Sequence, residues 1–236
     1  MAFRKAHRTN AKLRLAITGT AGSGKSHSAL LIAKGLGGNI AFIDTENGSG
    51  NMYSQLCDYD ICQLNPPYDP RRYVQTIHEA ELAGYSTIII DSLSHAWSGQ
   101  GGILDLQAKV ASTLKSGNSF AAWRQVTPLH NSLVEAILAS PSHIIATMRS
   151  KTEYLQAENE RGRTEIRKVG LAPVQREGMD YEFTTVFDLS QEHIAMASKD
   201  RTGLFGDTPF TPDAHTGEIL RDWLNAGAET QKGAEA

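Results

Sequence analysis

Gly19-Thr20-Ala21-Gly22-Ser23-Gly24-Lys25-Ser26 constrains this chain more than any other stretch. It fits G-x-x-x-x-G-K-[ST] at every position. It also joins an apolar run at 13–18 (LRLAIT) to a periodic apolar stretch carrying Ala29, Leu30, Ile32, Ala33 and Leu36. A strand, a glycine-rich loop and a helix in that order turn successive backbone N–H groups toward one point at a helix N-terminus, which is a phosphate nest. Residues 19–26, with His27, are therefore the expected nucleotide-binding segment. Lys25 is expected to reach the β- and γ-phosphates, and the Ser26 hydroxyl to ligate Mg²⁺. ATP is the expected nucleotide, since no N-K-x-D guanine-reading motif is present.

The rest of the chain repeats the strand–helix alternation. NIAFID at 39–44, STIIID at 86–91 and HIIATM at 143–148 are short continuous apolar runs, with a weaker strand near 60–64. Helical patterns fill 71–83 and most of 103–139. Strands that are apolar at every position must be covered on both faces, so the pattern predicts an α/β fold with a mainly parallel central sheet between helices. Residues 181–189 and 193–198 alternate and predict an antiparallel edge ribbon turning at Ser190–Glu192. A last helix is expected at about 216–226. The organisation read from these signals is a basic arm at 1–12, a single domain at 13–226 containing a mobile basic loop or ribbon at 149–178, and a disordered tail at 227–236.

Composition matters mainly through the placement of charge. The net charge of -3 argues against a general nucleic-acid coat. Yet residues 1–14 hold five basic residues and no acid, and 149–176 hold seven basic residues and four acids. An acidic body with two basic segments suits contact with a polyanion at chosen places, although solvated segments would look the same. Cys57 and Cys62, spaced C-x4-C with no second pair, predict two ordinary thiols in a cytoplasmic protein. No apolar run approaches membrane-spanning length, and the basic N-terminus lacks the apolar region of a secretory signal.

Two acidic residues complete the expected site. Asp91 ends STIIID, read as a buried strand beside the phosphate-loop strand, where a carboxylate holds Mg²⁺ together with Ser26. Ser92 follows it, so the general base must come from elsewhere. Glu46, just past FID, can orient the attacking water. Lys199 and Arg201, after the edge ribbon, are candidate cationic fingers for a neighbouring subunit's triphosphate. Arg149, Lys151, Arg161, Arg163, Arg167 and Lys168 lie in or beside the 149–178 segment as candidate DNA contacts, with Tyr154 able to stack on a base.

The order of phosphate loop, FIDTE, IIIDS, a fourth strand with a basic loop, and a K-x-R pair resembles the RecA/RadA recombinase core. TMRSKTEY, KVGLAPVQREGMDYEF and ASKDRTGLF resemble the short, phage-encoded, single-domain RecA-like annealing proteins and related phage nucleotide-binding proteins. The likeness covers roughly 12–206. It implies a RecA-like P-loop ATPase using ATP and Mg²⁺, with Glu46 as catalytic base. It also implies single-stranded DNA on the loop after the fourth strand, Lys199 and Arg201 acting in trans, and assembly into a ring or filament. A single-strand-binding protein is an implied further partner. The large recombinases often have a polar sensor such as Gln ending the fourth strand; here Thr147 is the candidate. With no accessory DNA-binding domain, annealing is expected rather than full strand exchange. The alternative class is a small P-loop ATPase or kinase acting on a non-nucleic-acid partner, with 149–176 as a lid.

Overall fold

Three consecutive isoleucines, Ile88, Ile89 and Ile90, are buried because their strand has helices on both faces. In the computed structural model, which describes residues 11–114, 119–158 and 164–232 (152–171 and 227–232 by backbone alone), that strand lies deep in an eight-stranded sheet. The strands are β1 (Arg14–Gly19), β2 (Ile40–Asp44), β3 (Asp60–Gln63), β4 (Thr87–Asp91), β5 (His143–Glu158), β6 (Thr164–Pro173), β7 (Thr185–Leu189) and β8 (Ala195–Asp200). The helices are α1 (Lys25–Leu36), α2 (Pro70–Leu82), α3 (Ser94–Ser98), α4 (Ile103–Thr113), α5 (Ser119–Ala139) and α6 (Ala214–Lys232). The sheet order is β3-β2-β4-β5-β1-β7-β8, with β6 paired to β5 off this path. All pairings are parallel except β7–β8 and β5–β6.

Alternation along each strand divides the core into two layers. Ala16, Ile88, Ile90, Ile144 and Ala146 pack with Tyr73 and Ile77 of α2 and Leu133 and Ile137 of α5. Leu15, Ile17, Ile89 and Ile145 pack on the other face with Leu30, Ile32 and Ala33 of α1 and Leu220 and Leu224 of α6. The start of α2 is fixed locally: the Asp69 carboxylate accepts the Arg71 N–H at 2.9 Å, and Pro70 occupies the first turn. Two glycines let α1 and α6 touch. A Cβ on Gly35 would lie 1.8 Å from the Ala214 carbonyl oxygen, and one on Gly217 would lie 2.1 Å from that of Ile32.

Three details differ from the sequence-based reading, and one alternative it left open, loop or ribbon at 149–178, is decided. The Asp91 strand does not neighbour the phosphate-loop strand, because β5 lies between β4 and β1. The apolar runs show which strands are interior, and their order depends on the helices that cross between them. The long basic segment is largely regular: β5 continues from the sheet to Glu158, and β6 returns antiparallel to it, with a register shift at Glu153/Tyr154. Residues 181–182 belong to a 3-10 turn (Met179–Glu182), so the edge ribbon begins at Thr185. The last helix runs on to Lys232, through much of the segment expected to be a tail; residues 233–236 lie outside the described residues.

Most of the basic arm, including Arg4, Lys5 and Arg8, also lies outside the described residues. Arg14 does not belong to a polyanion-binding arm. It is buried, and its guanidinium donates to the carbonyls of Leu13, Leu138, Ser140 and Ser142. Burial, only partly opposed by Glu81, lowers its pKa to about 10. Beside it, His143 Nδ1 accepts the Leu13 N–H at 2.9 Å, tying the start of β1 to that of β5.

Candidate active site

The phosphate loop leaves the carboxyl end of β1 at Gly19 and enters α1 at Lys25. Gly22 and Gly24 have φ of 78° and 87°, a left-handed backbone that glycine adopts without strain. At Gly19, a Cβ would come within 2.3 Å of Ser23 Oγ. No side chain caps α1 and its first turn holds no acid, so its leading N–H groups and the positive end of its dipole are free for an anion. Lys25 Nζ donates to the Thr20 carbonyl at 2.8 Å. Burial lowers its pKa, against the opposing pull of Asp91 and Glu46.

The expected metal ligands meet. Ser26 Oγ donates to Asp91 Oδ2 at 2.6 Å, and the Thr147 hydroxyl donates to the other carboxylate oxygen. Asp91 is 2 % exposed, and burial raises its pKa despite both hydrogen bonds. A hydroxyl and a carboxylate oxygen, both hard donors and adjacent to the phosphate nest, fit Mg²⁺. Ser26 and Asp91 would hold the ion. Thr147 reaches Asp91 because β5 lies beside β4. It is a positioning residue for that carboxylate, and its place as the candidate γ-phosphate sensor rests on resemblance alone.

Glu46 lies beyond the end of β2, and its carboxylate is gripped by Arg149. Arg149 Nε donates to Oε1 at 3.0 Å, and a terminal guanidinium nitrogen donates to Oε2. Burial alone would raise the Glu46 pKa; the bonds and charge of Arg149, with some help from His95, hold it below the usual glutamate range. Arg149, grouped by sequence with the candidate DNA contacts, thus sits beside the phosphate loop in the candidate nucleotide site, paired in register with Gly19 across β5 and β1. The reason is that the chain leaves the sheet one residue later than the basic run suggests: the two-stranded ribbon begins at Ser150, opposite Pro173. Lys151 is exposed on that ribbon. Arg167 and Lys168 are on β6, described by backbone alone, and Arg161 and Arg163 lie outside the described residues.

Lys199 and Arg201 part company. Lys199 Nζ donates to the carbonyls of Asp180 (3.1 Å) and Tyr181 (2.6 Å) and lies 5.7 Å from the Tyr181 ring centre. It is thus engaged within its own chain, whereas Arg201 is exposed just past the edge strand.

A cavity of about 570 Å³ opens beside Gly24 and Lys25, lined in part by His27, Tyr53, His193 and Pro212. Sequence reasoning found only His27 of these. Tyr53 is an aromatic in a short 3-10 turn with no motif around it, and its ring meets that of His27 edge-on at 6.3 Å. His193 comes from the β7–β8 turn, far away in sequence, and its Nδ1 would be 3.0 Å from a Cβ placed on Gly24.

A family profile described as AAA domain matches residues 11–209, from just ahead of β1 to beyond β8. No curated protein matches the chain. No helix among the described residues is long and apolar enough to cross a membrane.

Proposed function

The chain belongs to this AAA-domain family of P-loop NTPases, and from that premise we propose that it is an ATPase of the RecA-like kind. In this reading it assembles on single-stranded DNA as a ring or filament, with or without a single-strand-binding protein, and promotes annealing or recombination. The observation that supports this reading best is the convergence of Lys25, Ser26, Glu46, Asp91 and Arg149 at the carboxyl ends of β1, β2, β4 and the sheet portion of β5. This is where open α/β sheets bind ligands. Lys25 and the free N–H groups of α1 bind the phosphates. Mg²⁺, when bound, neutralises charge on the β- and γ-oxygens. Glu46 orients a water and takes its proton as the water oxygen bonds to the γ-phosphorus, while the bridging P–O bond breaks and ADP leaves. The Tyr53 ring in the adjoining cavity suits a purine base.

Support for DNA comes from the root of the ribbon. Trp97 and Trp123 stack there with ring centres 5.8 Å apart and 20° between planes. With Arg176 and the exposed Tyr181 they line a groove of about 630 Å³. Gln175 Nε2 donates to the Leu93 carbonyl at 3.1 Å, joining the end of the ribbon to the start of α3, which carries Trp97. Half-exposed aromatic faces beside an arginine suit unpaired bases, and the basic ribbon suits their phosphates.

The test pairs ATP hydrolysis, with and without an oligodeoxythymidine, with light-scattering mass and tryptophan fluorescence. Stimulated turnover, growth in mass and quenching that is lost in Trp97→Ala/Trp123→Ala are the expected results. Turnover by a monomer that ignores DNA would overturn the DNA reading and leave the ATPase.

A further inference from the structure

Arg149 is held between the Glu46 carboxylate and the mouth of the phosphate loop. Its backbone N–H donates to Ser94 Oγ at 2.9 Å, its carbonyl accepts the Val174 N–H at 2.6 Å, and it pairs in register with Gly19 at the mouth of the phosphate loop. The backbone is thus pinned on both sides while the side chain remains half exposed, at 49 %, against 25 % for Glu46. The guanidinium, Glu46, Lys25 and Asp91 interact electrostatically as one cluster. Its five donors are fixed in a fork that fits a carboxylate or a phosphate equally well. While both Glu46 oxygens accept from that fork, the guanidinium neutralises the carboxylate and takes up a lone pair on each oxygen, so Glu46 is a weaker base toward water.

We infer that the Glu46–Arg149 pair is a latch opened by the γ-phosphate. Without nucleotide, Arg149 holds the general base. With a triphosphate bound, Arg149 turns to the γ-oxygens and releases Glu46. One side chain thereby supplies, within the same subunit, a cation for the γ-phosphate and makes activation of the base conditional on a complete triphosphate. ADP lacks the group that opens the latch and leaves the pair closed. The inference rests on the proposed ATP site with Glu46 as its base, and is independent of DNA and of assembly.

The experiment is a double-mutant cycle on equilibrium binding of ATPγS and of ADP, both with Mg²⁺ and without DNA. Arg149→Ala should weaken ATPγS by about tenfold or more, as loss of a charged hydrogen bond does, and leave ADP nearly unchanged. Glu46→Ala frees the arginine and should tighten ATPγS about two- to fivefold, the worth of a partly exposed ion pair, again without effect on ADP. In the Arg149→Ala background that tightening should vanish. Arg149→Lys, which keeps charge but not the fork, should fall between, and controls for a folding defect in Arg149→Ala. Equal weakening of ATPγS and ADP by Arg149→Ala, or tightening by Glu46→Ala that persists without Arg149, would overturn the latch; the second result would reduce Glu46 to a repulsive charge. Failure of the unmodified protein to bind either nucleotide would instead overturn the nucleotide site, and the latch with it.

Discussion

Replacing Gly35 by alanine sets two physical effects of opposite sign against each other. Gly35 lies inside α1, and in an isolated helix alanine is favoured over glycine by about 1 kcal/mol. Propensity alone therefore predicts a more stable protein. The structure predicts the reverse. The added Cβ would lie 1.8 Å from the Ala214 carbonyl oxygen and 2.9 Å from both the Ala214 carbonyl carbon and the Glu218 nitrogen, all of them backbone atoms that no rotamer change can move. Ordinary contact begins near 3.4 Å, so α1 and α6 must part by about 1.5 Å. A gap that wide forfeits much of the dispersion contact among Ile32, Ala33, Leu36, Leu220 and Leu224. Overpacking of this kind costs about 3 kcal/mol, which leaves a net loss of about 2 kcal/mol after the gain in propensity. For a chain of this size that is a fall in Tm of about 4–8 °C. Thermal melts followed by circular dichroism measure it. Lys25 lies ten residues away at the other end of α1, about 15 Å along the axis, so the expected signature is lost stability with nucleotide affinity retained. A Tm that rises or stays put would refute the close packing of these helices through Gly35 and Gly217.

Three further outcomes are expected. Lys25→Ala should abolish MgATP binding by equilibrium titration, because it removes the one loop ammonium that the phosphates would claim from the Thr20 carbonyl. Burial first, then Lys12 and Arg14, lower His143 to about 4, whereas an unfolded histidine titrates near 6.5. Between those values the unfolded chain binds more protons, so stability rises with pH across the window and is lost on acidification. The loss is about 1–2 kcal/mol allowing for partial exposure; urea midpoints from pH 4.5 to 7 should show the slope, and His143→Asn, which keeps an acceptor for Leu13, should flatten it. Lys199→Ala should lower Tm by removing a charged donor from the Asp180 and Tyr181 carbonyls, while Arg201→Ala should keep Tm and lose turnover that added Lys25→Ala subunits partly restore; no rescue on mixing would remove Arg201 as a finger acting in trans.

What the sequence determined by itself is whatever depends on neighbours along the chain. The glycines, Lys25 and Ser26 need only a strand before them and a helix after them. The apolar runs at 13–18, 39–44, 86–91 and 143–148 need only burial on both faces, so the phosphate loop, the interior strands and the carboxylates Glu46 and Asp91 at strand ends were all readable. Position relative to distant residues was decided by tertiary structure. β5 lies between β1 and β4, and this alone brings Thr147 to Asp91, 56 residues away. Arg149 reads in sequence as one more charge in a basic run, and it joins the candidate site because its partner Glu46, 103 residues away, comes to the same carboxyl end of the sheet. Arg14 likewise reads as one of five basic residues at 1–14, and only the carbonyls of Leu138, Ser140 and Ser142 around it show why a charge opens a buried strand. A charged side chain carries no local signal for its partner. Hydrophobic patterning records that a surface is buried, and the choice among strand orders and ion pairs is made by how helices such as α1 and α6 fit when their backbones touch.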